Sequence, residues 1–198
     1  MKKYLFLLIL GGPLSLSAAE SVYHAGEQTA INSSPRWEIS LGWVHARTGA
    51  HDPTEEEVFS HLTGLAVRGL YALQPQLWVG AEGVFFEQQR PVPANTYRSR
   101  RYGVRANYIL TPDTTPTVYV TAGAGETAHR LSYSGLVTHR KQIGYGSVGA
   151  GIEVSLEKRY FLGAEVNALY HTSQKIDAFT RLNHRWETTA SLRGGLRF

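Results

Sequence analysis

Residues 186–198 alternate without a break. Trp186, Thr188, Ala190, Leu192, Gly194, Leu196 and Phe198 are apolar, small or uncharged, and every charge falls on the intervening set, Glu187, Thr189, Ser191, Arg193, Gly195 and Arg197. Successive side chains of a β-strand point to opposite faces, so this stretch is a strand with one greasy and one polar face. Seven further segments alternate in the same way: 37–44, 64–73, 77–85, 101–110, 118–125, 148–156 and 160–170. Each is near the roughly 9–11 residues that a tilted membrane strand requires. The pattern therefore predicts an all-β chain, an eight-stranded antiparallel up-and-down barrel.

The connections form a second argument. Short ones at 74–76, 111–116 and 157–159 are rich in Pro, Asp and Thr, as turns are. Between them fall long ones, 45–60, 87–100, 126–141 and 171–185. Short turns at one end and long loops at the other are the layout of a transmembrane outer-membrane barrel, with turns periplasmic and loops outside. A soluble lipocalin-like barrel also alternates, but the loop asymmetry and the final Phe198 favour the membrane version. Trp37, Trp43, Tyr71, Phe85, Tyr102, Tyr108, Tyr170, Trp186 and Phe198 share the apolar face, mostly toward strand ends, where amphipathic rings suit a membrane–water interface. Closure meets a physical demand too, because an unpaired sheet edge in hydrocarbon costs several kcal/mol per backbone group.

The N-terminus reads as an export signal. Lys2 and Lys3 precede an apolar run over 4–12, and Ser17, Ala18 and Ala19 offer small residues before Glu20. The predicted organisation is a signal peptide at 1–19, a periplasmic segment at 20–35 and a barrel at 36–198. Removing Lys2 and Lys3 lowers the formal charge from +4 to +2, which implies no nucleic-acid partner. With no cysteine in an exported chain, a disulfide scaffold is excluded. Charged residues at 18% would not flag a membrane protein, as expected where lipid-facing and lumen-facing residues average out.

These segments, above all 64–73, 117–125, 146–156 and the last strand, resemble the small eight-stranded outer-membrane proteins, the OmpA barrel domain and the OmpX/Ail group. The resemblance implies residence in the cell outer membrane among lipid and lipopolysaccharide, with no cofactor and a monomeric state. It leaves the activity open, because one architecture hosts many functions. Phe198, Leu196 and Leu192, at the last, third-last and seventh-last places, resemble the assembly signal read by the barrel-assembly machinery.

The polar face carries Glu38, Arg68, Glu82, Arg101, Arg105, Glu153, Glu165, Glu187, Arg193 and Arg197. An eight-stranded barrel is just wide enough for its side chains to fill it. Five carboxylates facing five guanidiniums predict a paired lumen network, since unpaired buried charge is strongly unfavourable. Gly80, Gly103, Gly123, Gly149 and Gly163 are expected to make room for the arginines. No wide pore is expected.

One catalytic pattern stands beside this. His171, Ser173 and Glu187 resemble the His, Ser and Glu of the PagL lipid A deacylases, in which His activates the Ser hydroxyl and the carboxylate orients His. Gln174 stands where that family has Asn, and alternation counted back from Phe198 turns Glu187 and His171 into the lumen, away from lipid. The sequence thus predicts no catalysis and makes Glu187 a salt-bridge partner of Arg68, Arg101, Arg105 or Arg193.

Seven of the eight histidines, His45, His51, His61, His129, His139, His171 and His184, fall in or beside the predicted long loops, and only His24 lies elsewhere. Arg98, Arg100, Arg130, Arg140, Lys141, Lys175, Arg181 and Arg185 share that end, around an acidic tip of Asp52, Glu55, Glu56 and Glu57. Ordinary wet-end polarity explains this, as would a cationic collar for lipopolysaccharide phosphates or a proton-sensitive rim. An extracellular ligand of the loops is a further possible partner. No pair of histidines has metal-ligand spacing on a defined element.

Overall fold

A computed structural model describes residues 36–51, 57–90, 95–112, 114–133, 137–156, 159–175, 181–182 and 185–198. The expected signal peptide, the lead-in to residue 35, His24, His184 and the acidic tip at 52–56 lie outside them. Within the compact unit Ser34–Phe198 the strands are β1 (Trp37–His51), β2 (Glu57–Ala72), β3 (Leu77–Arg90), β4 (Asn95–Ile109), β5 (Thr117–Tyr133), β6 (Val137–Ser155), β7 (Tyr160–His171), the two-residue β8 (Arg181–Leu182) and β9 (Trp186–Arg197). Eight of them form a closed, wholly antiparallel barrel, each pairing with its neighbours and β1 pairing with both β2 and β9. The seam is stitched at its end, where Arg36 N donates to Phe198 O at 2.7 Å and Phe198 N donates to Trp37 O at 2.9 Å. No open edge is left to lipid.

Three tight connections, such as the one where Leu73 N donates to Leu77 O at 2.9 Å, define a turn end. The opposite, hairpin end differs from the sequence expectation. Most of 45–60, 87–100 and 126–141 is strand rather than loop, leaving connections of 52–56, 91–94 and 134–136. The long strands run to 12–19 residues, not 9–11. The connection 171–185 likewise holds β8, which pairs antiparallel with Ala50 and His51 of β1.

The cause is a change in what the strands face. Through the span the large apolar side chains point outward; Val104 and Leu192 are 68% and 67% exposed. Past Tyr102 the apolar set changes face. Val44, Ala46, Leu62, Ala66, Val84, Phe86, Tyr97, Leu131, Ile143 and Leu182 form a buried cluster inside the barrel. On β5, for example, Val118, Val120, Ala122 and Ala124 belong to the outer set, whereas Leu131 points in. The register of β4, β5 and β6 runs on unbroken, while β1 shifts against β2 between Arg47 and His51, and hydrophobic burial holds the far hairpins together as in a soluble barrel.

Candidate functional site

The lumen is built in tiers. Nearest the turn end, Glu38 and Glu153 face Arg193 and Arg197. Arg193 Nη1 donates to Glu38 Oε1 at 2.6 Å and its Nη2 to Glu153 Oε2 at 2.9 Å. Arg197 Nη2 donates to Glu38 Oε2 at 3.0 Å and also to Glu153. The Phe161 ring lies 4.8 Å from each guanidinium, and Trp78 lies 5.2 Å from that of Arg197. These rings cover the planar faces of the guanidiniums and leave their N–H edges to the carboxylates.

The middle tier centres on Glu165, whose side chain is wholly shielded from solvent. Its carboxylate accepts from Arg68 Nη1 at 3.1 Å and Nη2 at 3.0 Å, Arg105 Nη2 at 2.9 Å, Tyr119 OH at 2.8 Å and Asn167 Nδ2 at 2.8 Å. Glu82, directly opposite Arg68 across β2 and β3, accepts from Arg68 Nε at 2.9 Å and Arg105 Nη1 at 2.6 Å. Arg105 further donates to Thr121 at 2.6 Å and Asn107 at 3.1 Å. Such saturation is what allows charge to be buried. A cavity of about 30 Å³ beside this tier and two of about 10 Å³ nearby have room for little more than single waters.

The third tier lies where the wall changes character. Arg101 pairs with Glu187, and its guanidinium lies over Tyr145 at 5.3 Å and Phe86 at 5.6 Å. Glu187 Oε2 is also 3.1 Å from His171 Nε2. The His171 ring meets His129 at 6.3 Å, and His129 Nδ1 is 2.6 Å from the Tyr97 hydroxyl. Arg101 Nε, Thr127 Oγ1, His129 Nε2 and His171 Nδ1 are buried without a hydrogen-bond partner.

All ten charged residues of the polar face thus have an oppositely charged neighbour, with Arg101 the one that meets Glu187. The glycines meet the expectation only in part. Gly163 and Gly123 lie against Arg193 and Arg105, but Gly103 clears the Tyr145 hydroxyl, Gly149 the Asn167 side chain and Gly80 the backbone of Gly69. Sequence reading also missed Tyr97 and His129 as interior residues. The parity of β5 carried the signal, since residues 127, 129 and 131 share the inward phase of Tyr119 and Thr121.

The three residues of the catalytic pattern do not converge. His171 and Glu187 touch inside the barrel, 1% and 5% exposed, while Ser173 Oγ accepts from the Lys175 backbone N at 3.3 Å. Among the described residues no hydrogen bond joins Ser173 to His171, and no cluster of His, Cys, Asp or Glu has the makings of a metal site. The wet-end histidines divide as well. His45 and His61 stack on the outer wall with centroids 5.4 Å apart, whereas His129 and His171 are core residues. Arg185 donates to the Tyr170 hydroxyl at 2.8 Å. The side chains of His51, Glu57, His139 and Arg181 lie outside the described set.

No protein-family model matches the sequence, and no curated protein matches it. Solved structures do. Neisserial surface protein A, NspA, superposes with a TM-score of 0.57 at 16% identity, covering 82% of this chain and 97% of its own. Ail, the attachment invasion locus protein of Yersinia pestis, gives 0.55 at 14% identity over 83% and 99%. The N-terminal β-barrel domain of Pseudomonas aeruginosa OprF gives 0.51 at 16% over 81% and 97%. At such identities the likeness is one of fold. Joined to an outer wall of lipid-facing side chains around a charged interior, it identifies the chain as a small eight-stranded barrel of the outer-membrane type, with a surface consistent with the cell outer membrane.

Proposed function

We propose that this protein is a non-catalytic outer-membrane barrel, closed to solutes, whose projecting hairpin end is an extracellular recognition surface. The observation that carries the reading is the filled interior. Three tiers of ion pairs occupy the span, and an apolar cluster closes the hairpin end. A barrel packed this way has no continuous aqueous path and no lumenal space for a substrate. The strands still project beyond the belt, which suits contact with an extracellular ligand. The chain acts as a monomer without a cofactor, in contact with outer-membrane lipid and lipopolysaccharide. Purified barrel in planar bilayers is expected to give no stepwise conductance, and lipid A from overproducing cells to keep its acylation by mass spectrometry. Discrete channels would overturn the reading, as would loss of an acyl chain that Ser173→Ala prevents.

The outward row of Leu192, Leu196 and Phe198, all exposed, is proposed to serve as the signal read by the barrel-assembly machinery. Phe198→Asp places a charge near the interface, where its thermodynamic cost is small. Folded barrel in the outer membrane should therefore fall through slower assembly, measured as the heat-modifiable band on unboiled gels. Unchanged levels would remove this role.

A further inference from the structure

Three adjacent strands concentrate positive charge on the outer wall just beyond the apolar belt. Register sets Arg98 of β4 opposite Arg130 of β5, and Arg130 opposite Arg140 of β6. Arg100 lies one outward position nearer the belt, and Lys141, exposed but opposite His129 in the inward phase of β6, adds a fifth cation at the edge. With Tyr102 on the belt side, they line a shallow concavity of about 570 Å³. Like charges directly opposite one another on neighbouring strands repel, so folding alone does not favour this row.

The acidic groups on this wall are few. Glu87, opposite Arg98, accepts from its Nη2 at 3.0 Å, and Glu126 lies across from Tyr102. Among the described residues no ion pair reaches Arg100, Arg130, Arg140 or Lys141. Arg98 Nε is shielded from solvent yet has no hydrogen-bond partner. Toward the belt, past the row of Tyr102, Glu126 and Gly144, the same strands present Val104, Ala124 and Gly146, an outward-facing apolar strip. A lipid whose chains lie along that strip has its headgroup among the guanidiniums.

We propose that this concavity binds the phosphorylated sugar headgroup of an outer-leaflet glycolipid, with phosphate oxygens accepting from Arg98, Arg130 and Arg140. Guanidinium forks match phosphate geometry, and the negative ligand relieves the repulsion along the row. The proposal rests on the reading that the hairpin end faces outward.

The test is native mass spectrometry of the full barrel in detergent micelles, titrated with bisphosphorylated lipid A, its dephosphorylated form, phosphatidylglycerol and inorganic phosphate. Orientation has no bearing in micelles, so failure here removes the site and leaves the recognition reading standing. The wild type should prefer bisphosphorylated lipid A over the other lipids. The triple variant Arg98→Gln, Arg130→Gln, Arg140→Gln should bind it on the order of a hundredfold more weakly, from three cations each contributing at an anionic surface. Lys at the same three positions should recover part of the affinity, keeping the charge but not the fork, and Arg185→Gln should match wild type. Equal binding by the Gln and Lys triples, or by phosphorylated and dephosphorylated lipid, would overturn the proposal. Full displacement of the lipid by inorganic phosphate would overturn the lipid assignment.

Discussion

Toward the turn end the barrel is greasy outside and charged inside; beyond Tyr102 the same strands are charged outside and greasy inside. On β4, β5 and β6 strand geometry does not change between the two regions, because pleat and register run on without a shift. What changes is the solvent. Against lipid an apolar outer wall is at rest, and cohesion comes from hydrogen-bonded ion pairs across the lumen. In water that arrangement would expose large apolar surface, so the far region buries Phe86, Leu131 and Ile143 and turns Arg100, Arg130 and Arg140 outward. Arg101, Glu187 and His171 sit at the crossover, a polar layer under an apolar one.

The sharpest way to break this comparison is to strike the middle tier. Glu165→Leu leaves Arg68 and Arg105 with Glu82 as their shared carboxylate. Removing one partner of a buried pair is expected to destabilise by about 3–5 kcal/mol, read as the urea midpoint of the folded barrel in micelles. Adding Arg68→Met should recover much of the loss, since apolar groups of similar volume replace buried charge well. No change in midpoint for Glu165→Leu would mean the ion pairs are not what holds the span.

A smaller effect of another kind should follow from Phe86→Ala in the far cluster, about 3 kcal/mol as for other buried aromatics. Amide exchange should locate it, accelerating in the hairpin-end halves of β3 to β6 while the membrane span keeps its protection. Uniform acceleration over the whole barrel would dissolve the distinction between the regions.

The smallest effect concerns the outer wall. Ala122→Arg puts a charge among Ala106 and Val148 in the span and should cost about 2 kcal/mol, whereas Ala128→Arg, opposite Arg100, should cost under about 1 kcal/mol. Equal unfolding midpoints for the two variants would place the membrane boundary elsewhere.

Sequence by itself determined the eight spanning strands, their phase and the sign of each lumenal charge, because a backbone period of two assigns every side chain to a face without reference to anything distant. It made Glu187 an inward residue, but not a partner of Arg101 rather than of Arg68, Arg105 or Arg193. Only closure decided that, as it decided that Glu38 of β1 meets Arg193 and Arg197 of β9, 155 and 159 residues away. The stagger between strands sets which tiers face each other, and no local pattern contains it. The far hairpins escaped notice for a different reason. A search for apolar residues on one constant face stops where the outer solvent changes from lipid to water, and there Tyr97, His129, Leu131 and Ile143 resemble loop residues until the barrel supplies an inside. Leu182, held in two residues of β8 beside Ala50 and His51, has no periodicity at all and acquires its place in the core only through that tertiary pairing.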